Sequence, residues 1–386
     1  MRRANWHEFD IGLLVATLIL VALGLALIYS AYDHVVLDEG APLSDYLSWT
    51  QAWRAGIGLL VLLLVTLVDY QVLFIARRFV YLGVLALLLA TLLAGESRFG
   101  AQRSIEIAGF VIQPSELVKV LMIVVLAHAL GQGQEHLESV RPFFVSLVLL
   151  VPPVILVYQQ PDFGTTFIMI ATWVGMVFLS GVRWRHILLA AIVGAVVAPV
   201  VWFRLESYMR DRVINFLVPS GASPDESYNV RQALISIGNG GWWGRGYLQG
   251  SQSQLHFLRV RHTDFIFSVL AEELGFLGCM GFLTVYAYLL WRLLAIAQQA
   301  PDEGGRLIVS GVAVMLAVQA VVNLGANANF LPVTGIPLPL VSYGGSAMMT
   351  TLFALGLVQS VAVRRHRVDP DSLKPLKSLG TQRRRT

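Results

Sequence analysis

The chain has 386 residues, of which 56% are hydrophobic and 13% charged, with a formal net charge of +4. A soluble domain carries about 25% charged residues to keep its surface in water, so this composition and a mean hydropathy of +0.67 exclude a water-soluble fold and leave no room for a large soluble domain. The tail from Arg364 to Thr386 holds eight Lys or Arg against two Asp, a surplus of six that leaves the rest of the chain at −2. A basic tail after a last apolar run reads as a cytoplasmic anchor on anionic membrane lipid, not as a nucleic-acid site.

Taken in chain order, the apolar runs approach the ~20 residues that cross a bilayer about ten times. The first, Ile11 to Tyr29 after Met1-Arg2-Arg3, is too long for a signal-peptide core and reads as an uncleaved span. The cores are Leu13 to Tyr29, Ala55 to Val68, Phe79 to Ala94, Leu117 to Leu130, Phe143 to Tyr158, Phe163 to Leu179, Ile187 to Phe203, Phe265 to Leu294, Leu307 to Val322 and Leu338 to Val363. They are continuous rather than alternating, so they predict helices and not a barrel. The expected fold is an all-α polytopic membrane bundle over residues 1–363, with a large extracytoplasmic loop at 204–262 between the seventh and eighth spans and a basic cytoplasmic tail at 364–386. Cys279 lies in an apolar run as a helix-packing residue and, being the single cysteine, forms no internal disulfide.

Arg2, Arg3, Arg77, Arg78, Arg141, Arg183, Arg185, Arg292, Arg306 and the tail fall on one side of this arrangement, which puts both termini in the cytoplasm. The first external loop, Ala31 to Leu47, has acids but no Lys or Arg. Two external segments break the pattern. The connection from Gly95 to Gln113 carries Arg98 and Arg103, and the long loop carries Arg204, Arg210, Arg212, Arg231, Arg245, Arg259 and Arg261. Long loops translocate whatever their charge, yet so many guanidiniums also suit an anionic partner such as a diphosphate, whose oxygens Arg forks match in pairs. The same loop holds Gly238-Asn239-Gly240-Gly241-Trp242-Trp243-Gly244-Arg245-Gly246, a composition for a folded loop against the membrane interface.

Charges inside spans cost about 2.5 to 3.5 kcal/mol on insertion, so three polar sites stand out. In Gln113-Pro114-Ser115-Glu116-Leu117-Val118-Lys119, Pro114 suits a helix start and Glu116 and Lys119 share a face, either as a structural ion pair or as a functional one. In Gln159-Gln160-Pro161-Asp162-Phe163-Gly164-Thr165-Thr166, Asp162 can cap the next helix, which is compatible with a second role. In Arg261-His262-Thr263-Asp264-Phe265, Asp264 stands at the outer boundary of the eighth span, as a helix cap or as an ionised proton acceptor; Ser268 and Glu272 continue a polar stripe from it. Between the last two spans, Leu331-Pro332-Val333-Thr334-Gly335-Ile336-Pro337-Leu338-Pro339 and Ser342-Tyr343-Gly344-Gly345-Ser346 predict a re-entrant or pocket-lining segment, or else a plain external turn.

In order and across nearly the whole chain, these segments resemble the SEDS family of shape, elongation, division and sporulation proteins. The residues that carry the resemblance are Gly100-Ala101-Gln102-Arg103, the Gln113 to Lys119 motif, Gln160-Pro161-Asp162 with Gly164-Thr165, His262-Thr263-Asp264-Phe265-Ile266-Phe267 with Glu272-Glu273-Leu274-Gly275, and the proline and glycine segment up to Ser346. Gly250-Ser251-Gln252-Ser253-Gln254-Leu255 is similar to the elongation branch, RodA, more than to the division branch, FtsW. Three places depart from the family pattern: Leu258-Arg259-Val260-Arg261 where Pro-Glu is frequent, Ser104 where Trp is common, and Asn323-Leu324-Gly325-Ala326-Asn327 in place of Asn-x-Gly-Met.

The resemblance implies a peptidoglycan glycosyltransferase that polymerises Lipid II and undecaprenyl-diphosphate-linked glycan at the outer face of the bacterial cytoplasmic membrane during elongation. It implies Asp264 as general base, directly or through a divalent cation (Mg or Mn), with no organic cofactor. Glu116 would hold Lys119 to stabilise the leaving diphosphate, Asp162 would shape the same cavity, and Arg103, Arg261, His262, Thr263, Gln254 and Ser342 would bind substrate. Implied partners are a class B penicillin-binding transpeptidase and other elongation-complex membrane proteins. A Lipid II flippase and a noncatalytic scaffold are the rival readings.

Overall fold

A computed structural model of the chain describes residues 5–34, 45–98, 101–107, 110–131, 140–182, 224–255 and 260–365, with single positions between them. It is an all-α membrane bundle. Helix α1 (Ile11–Ile28) continues through a π-helical turn at Tyr29–Asp33 and is followed by α2 (Leu47–Leu67), α3 (Tyr70–Ile75), α4 (Arg77–Ala94), α5 (Pro114–Gly131), α6 (Arg141–Gln159) and α7 (Phe163–Leu179). After the long loop begins come α8 (Pro224–Gly240), the single turn α9 (Ser251–Gln254), α10 (Ile266–Gln298), α11 (Glu303–Asn327) and α12 (Gly345–Ala362). Among the described residues seven helices are long and apolar enough to cross a membrane, and α7 is a shorter apolar one. Helices α5, α11 and α12 are mostly buried, whereas α2, α6 and α10 present much of their length outward, as lipid-facing helices with Leu and Val on their outer faces do.

Three expectations are refined here. The core at Ile187 to Phe203 and much of the loop that follows lie outside the described residues, as does the tail beyond Arg365. The connection after α4 is not a bare turn but a three-stranded antiparallel ribbon, β1 (Glu96–Arg98), β2 (Ala101–Ile107) and β3 (Phe110–Ile112). The last span starts at Gly345 rather than Leu338, because Pro337, Pro339 and a left-handed Leu340 at φ +68° hold the preceding segment out of helix.

Helix α10 is broken. At Gly275 the backbone takes φ +65° and ψ −165°, a region only glycine enters at low cost. Such a break orphans the carbonyls of Glu272 and Glu273 and the amides of Phe276 and Leu277, which would bond each other in a straight helix. The glycine and tryptophan loop takes all four. Gly241 and Trp242 carbonyls accept from Phe276 (2.8 Å) and Leu277 (3.2 Å), while Arg245 and Gly246 amides donate to Glu272 (2.9 Å) and Glu273 (3.0 Å). The exchange keeps these four main-chain groups satisfied and welds the loop to α10.

Where α1 begins, Asp10 caps it through the Leu13 amide (2.8 Å), pairs with Arg292 and exchanges two hydrogen bonds with the Gln359 amide side chain. Arg364 donates to the carbonyls of Leu67 and Ser360, both at 2.8 Å, and Arg365 pairs with Glu8. The two arginines at the start of the basic tail are therefore part of the bundle.

Candidate active site

At the opposite end, two polar centres flank the segment between α11 and α12. The first is built on the start of α5. Pro114 opens the helix, and three residues of its first turns point inward because 3.6-residue periodicity puts Ser115, Glu116 and Lys119 on the buried side. Lys119 Nζ meets Glu116 Oε1 at 2.8 Å, both side chains almost wholly buried. Asp162 caps α7 through the Thr165 amide (3.1 Å), and its other oxygen accepts from Gln113 Nε2 (2.8 Å) and Ser115 Oγ (3.0 Å), so capping and a tie to α5 coexist in one carboxylate. Gln113 N in turn donates to Ser346 Oγ on α12 (2.9 Å).

The second centre is the turn at 260–265 that leads into α10. The N-cap position of α10 falls on Phe265 and not on Asp264. The turn is held from several sides. Val260 O accepts from the amides of Thr263 (3.3 Å) and Asp264 (3.2 Å), His262 O from Tyr343 N (2.9 Å), Thr263 O from Ser342 Oγ (2.6 Å), and Asp264 O from Asn327 Nδ2 (2.8 Å) and Asn323 Nδ2 (3.1 Å). These bonds hold two apolar residues in left-handed backbone, Val260 at φ +51° and Leu340 at φ +68°, at about 1 to 2 kcal/mol each. Several net hydrogen-bond contributions of about 1 kcal/mol each offset that cost.

Asp264 is half-buried, and its carboxylate and the Arg212 guanidinium both lie close to Gly335. A Cβ built on Gly335, which sits at φ +72°, would lie 3.9 Å from Asp264 Oδ2 and 3.7 Å from Arg212 Nη1. The neighbouring Thr334 O and Ile336 Cγ1 would in turn be 3.0 and 2.9 Å from a Cβ on Gly164, in the first turn of α7. One extended segment thus touches the Asp162 helix on one side and the Asp264 turn on the other.

The remaining expected site residues divide. Ser342 and Thr263 join the two loops to each other. His262 packs edge-on against Tyr32 and Tyr343, with ring centroids at 5.0 and 5.7 Å; burial first, then the Arg261 guanidinium, push its imidazole down to about 4, so it is neutral at physiological pH. Arg261 is buried and turns inward, its Nε donating to Ala31 O in the π-helical turn. Gln254 reaches the same turn, donating to Ser30 O (3.3 Å). Ser30 and Ala31 lie in the last turn of this helix, where main-chain carbonyls lack partners within the helix. Arg103 falls on β2, and its side chain lies outside the described residues. Sequence reasoning passed over Arg212, one arginine among seven in the loop, and Asn323 and Asn327, which it met only as a departure from a motif; a polar amide at i and i+4 on an apolar span was the available signal.

The family model for the cell cycle proteins FtsW, RodA and SpoVE matches residues 11–367. The chain belongs to the FtsW, RodA and SpoVE family. Among SEDS relatives, the peptidoglycan glycosyltransferase MrdB of Escherichia coli is 40% identical over 69% of this chain and 72% of its own length. Stage V sporulation protein E of Bacillus subtilis is 34% identical over 92% of this chain and 96% of its own. Among solved family structures, a chain from a peptidoglycan synthase complex that coordinates polymerization and crosslinking superposes with a TM-score of 0.79 at 34% identity, covering 93% of this chain and 99% of that one. The rod shape determining protein RodA of Thermus thermophilus gives 0.68 at 32% identity, covering 94% and 99%.

Proposed function

We propose that this chain is an inverting peptidoglycan glycosyltransferase that polymerises Lipid II into glycan strands at the outer face of the cytoplasmic membrane during elongation. The observation that carries the reading is the placing of the Asp264 carboxylate, on a turn whose backbone is pinned, and of the Arg212 guanidinium around the same glycine, Gly335. In the proposed step Asp264 takes the proton from the acceptor sugar's 4-hydroxyl as that oxygen attacks the donor's anomeric carbon. The new carbon–oxygen bond forms as the bond to the lipid diphosphate breaks, and the diphosphate leaves with the electron pair. An α-linked donor becomes a β-linked product, so one inverting displacement is enough.

Charge grows on the departing diphosphate, where positive groups in a site of low dielectric act strongly. Arg212 and Lys119, the latter held by Glu116, supply that charge. Asp264 would hold a divalent cation, with water and substrate phosphates contributing to its shell as they commonly do for Mg²⁺. Such a cation would add neutralising charge at the diphosphate.

The finer topology belongs to the same proposal: about ten spans, both termini cytoplasmic by the arginine distribution, and the Asp264 end outward. A class B penicillin-binding transpeptidase is the proposed partner, a reading supported by the similar chain found in a synthase complex. The test is a gel assay of glycan chain length on Lipid II. Asp264→Asn in folded protein makes no polymer; retained polymer removes Asp264 from the chemistry, and native protein that moves Lipid II across vesicles without polymerising it establishes a flippase instead.

A further inference from the structure

We infer that Asn327, with Asn323, is a positioning residue that aims the Asp264 carboxylate at its substrate. The inference rests on Asp264 acting as the base. Asn327 is fully buried near the end of α11, and its side chain is used completely. Nδ2 donates to Asp264 O (2.8 Å) and to Asn323 O (2.9 Å), while Oδ1 accepts from the Ser268 amide (3.2 Å) and Ser268 Oγ (2.8 Å). An asparagine amide has two donors and two acceptor sites, so this one side chain bonds at all of them.

Two consequences follow from what those partners are. Ser268 N, in the first turn of α10, is shared between the carbonyl of the N-cap residue Phe265 (3.1 Å) and Asn327 Oδ1 (3.2 Å). The second acceptor comes from α11, so the start of α10 is tied to a neighbouring helix as well as to its own N-cap, whose side chain is apolar. The same amide grips the carbonyl of Asp264 itself. With Asp264 N bonded to Val260 O (3.2 Å), both peptide groups of that residue are held, and the direction of its Cα–Cβ bond is set.

Asn323 extends the clamp. Its Nδ2 donates to Asp264 O (3.1 Å) and to Ile336 O (2.9 Å), one residue beyond the glycine that lies close to the Asp264 carboxylate. The Asp264 main chain and the segment its carboxylate faces are therefore held together by one amide that does not touch the carboxylate. A leucine has nearly the shape of asparagine and none of its bonds, which makes it the informative replacement.

The experiment measures kcat and KM on Lipid II for purified, folded, full-length Asn327→Leu, Asn323→Leu and Ser268→Ala, with Asp264→Asn alongside. Displacement of a reacting group by about 1 Å costs on the order of 100-fold, so Asn327→Leu is expected to lower kcat at least about 30-fold and Asn323→Leu about 10-fold, with KM within about threefold of native. Ser268→Ala removes only part of the cap and falls less than either. A role in folding alone would lower the yield of folded protein and leave its kcat intact. Folded Asn327→Leu with kcat within threefold of native, beside an inactive Asp264→Asn, overturns the inference. If Asn327→Leu does not fold, Asn323→Leu decides, and kcat within twofold of native overturns it. An active Asp264→Asn instead overturns the reading of Asp264 as base.

Discussion

Replacing Gly275 with alanine tests whether the exchange of hydrogen bonds across the broken span holds the extracytoplasmic loop in place. A Cβ there would lie 2.8 Å from the Trp243 carbonyl carbon and 2.9 Å from that of Trp242, and closer still to the Gly244 nitrogen. These are backbone atoms, which cannot swing aside as a side-chain end would. The conformation itself, at φ +65° and ψ −165°, costs a non-glycine residue about 1 to 3 kcal/mol, and overpacking a tight contact costs about 1 to 3 more. If the loop relieves the clash by lifting, its four main-chain bonds to α10 go with it, at about 1 kcal/mol each. Either route predicts a loss of roughly 4 kcal/mol, a large share of the 5 to 15 kcal/mol that a folded domain has in reserve. Thermal unfolding in detergent should fall by about 5 to 10 °C, and hydrogen exchange at the Arg245, Gly246, Phe276 and Leu277 amides should accelerate. A variant that melts within a degree of native with those amides still protected would refute the coupling.

Two further predictions concern charge. Lys119→Met leaves Glu116 buried without its partner and should destabilise by about 3 to 5 kcal/mol, as broken buried pairs do; the double variant with Glu116→Gln should regain much of that stability in a melting assay and still make no glycan. His262 gives the acid dependence a sign. Its folded-state value, about 4, lies below the ordinary 6.5, so between those two values the unfolded chain binds the proton first and stability falls as pH falls. Acidification from 6.5 to 5 should therefore cost the native protein about 1 to 2 kcal/mol more than it costs His262→Phe, after discount for the half-exposed ring; equal losses in denaturant titrations would remove this residue as the cause.

What could be read from the chain beforehand was whatever lipid makes costly. Continuous apolar runs announce helices, and Glu116, Lys119, Asp162 and Asp264 are conspicuous because charge at membrane depth is penalised. Proline and glycine likewise announced the non-helical segment before α12. The break at Gly275 was hidden, because a single glycine after Glu272-Glu273-Leu274 does not announce one and the groups that compensate the break lie some 30 residues earlier in sequence. Arg261 was hidden for a related reason: nothing local says that its acceptor is Ala31, in the last turn of a helix some 230 residues earlier. Arg212 and Asp264 both lie close to Gly335, a gathering of three distant segments that no single stretch encodes. The ribbon over residues 96–112 was read only for its arginines, although its strands pair in register from Ile105 with Ile112 to Ile107 with Phe110.

The first helix is gripped at both of its ends. Asp10 is tied to Arg292 and Gln359, and some twenty residues later Ala31 receives Arg261 and Ser30 bonds Glu273. Sliding by a single residue, about 1.5 Å along the axis, would break partners on both sides of the bilayer at once. This helix therefore serves as a spacer of set length, and the height of the Asp264 turn above the far membrane face is measured along it.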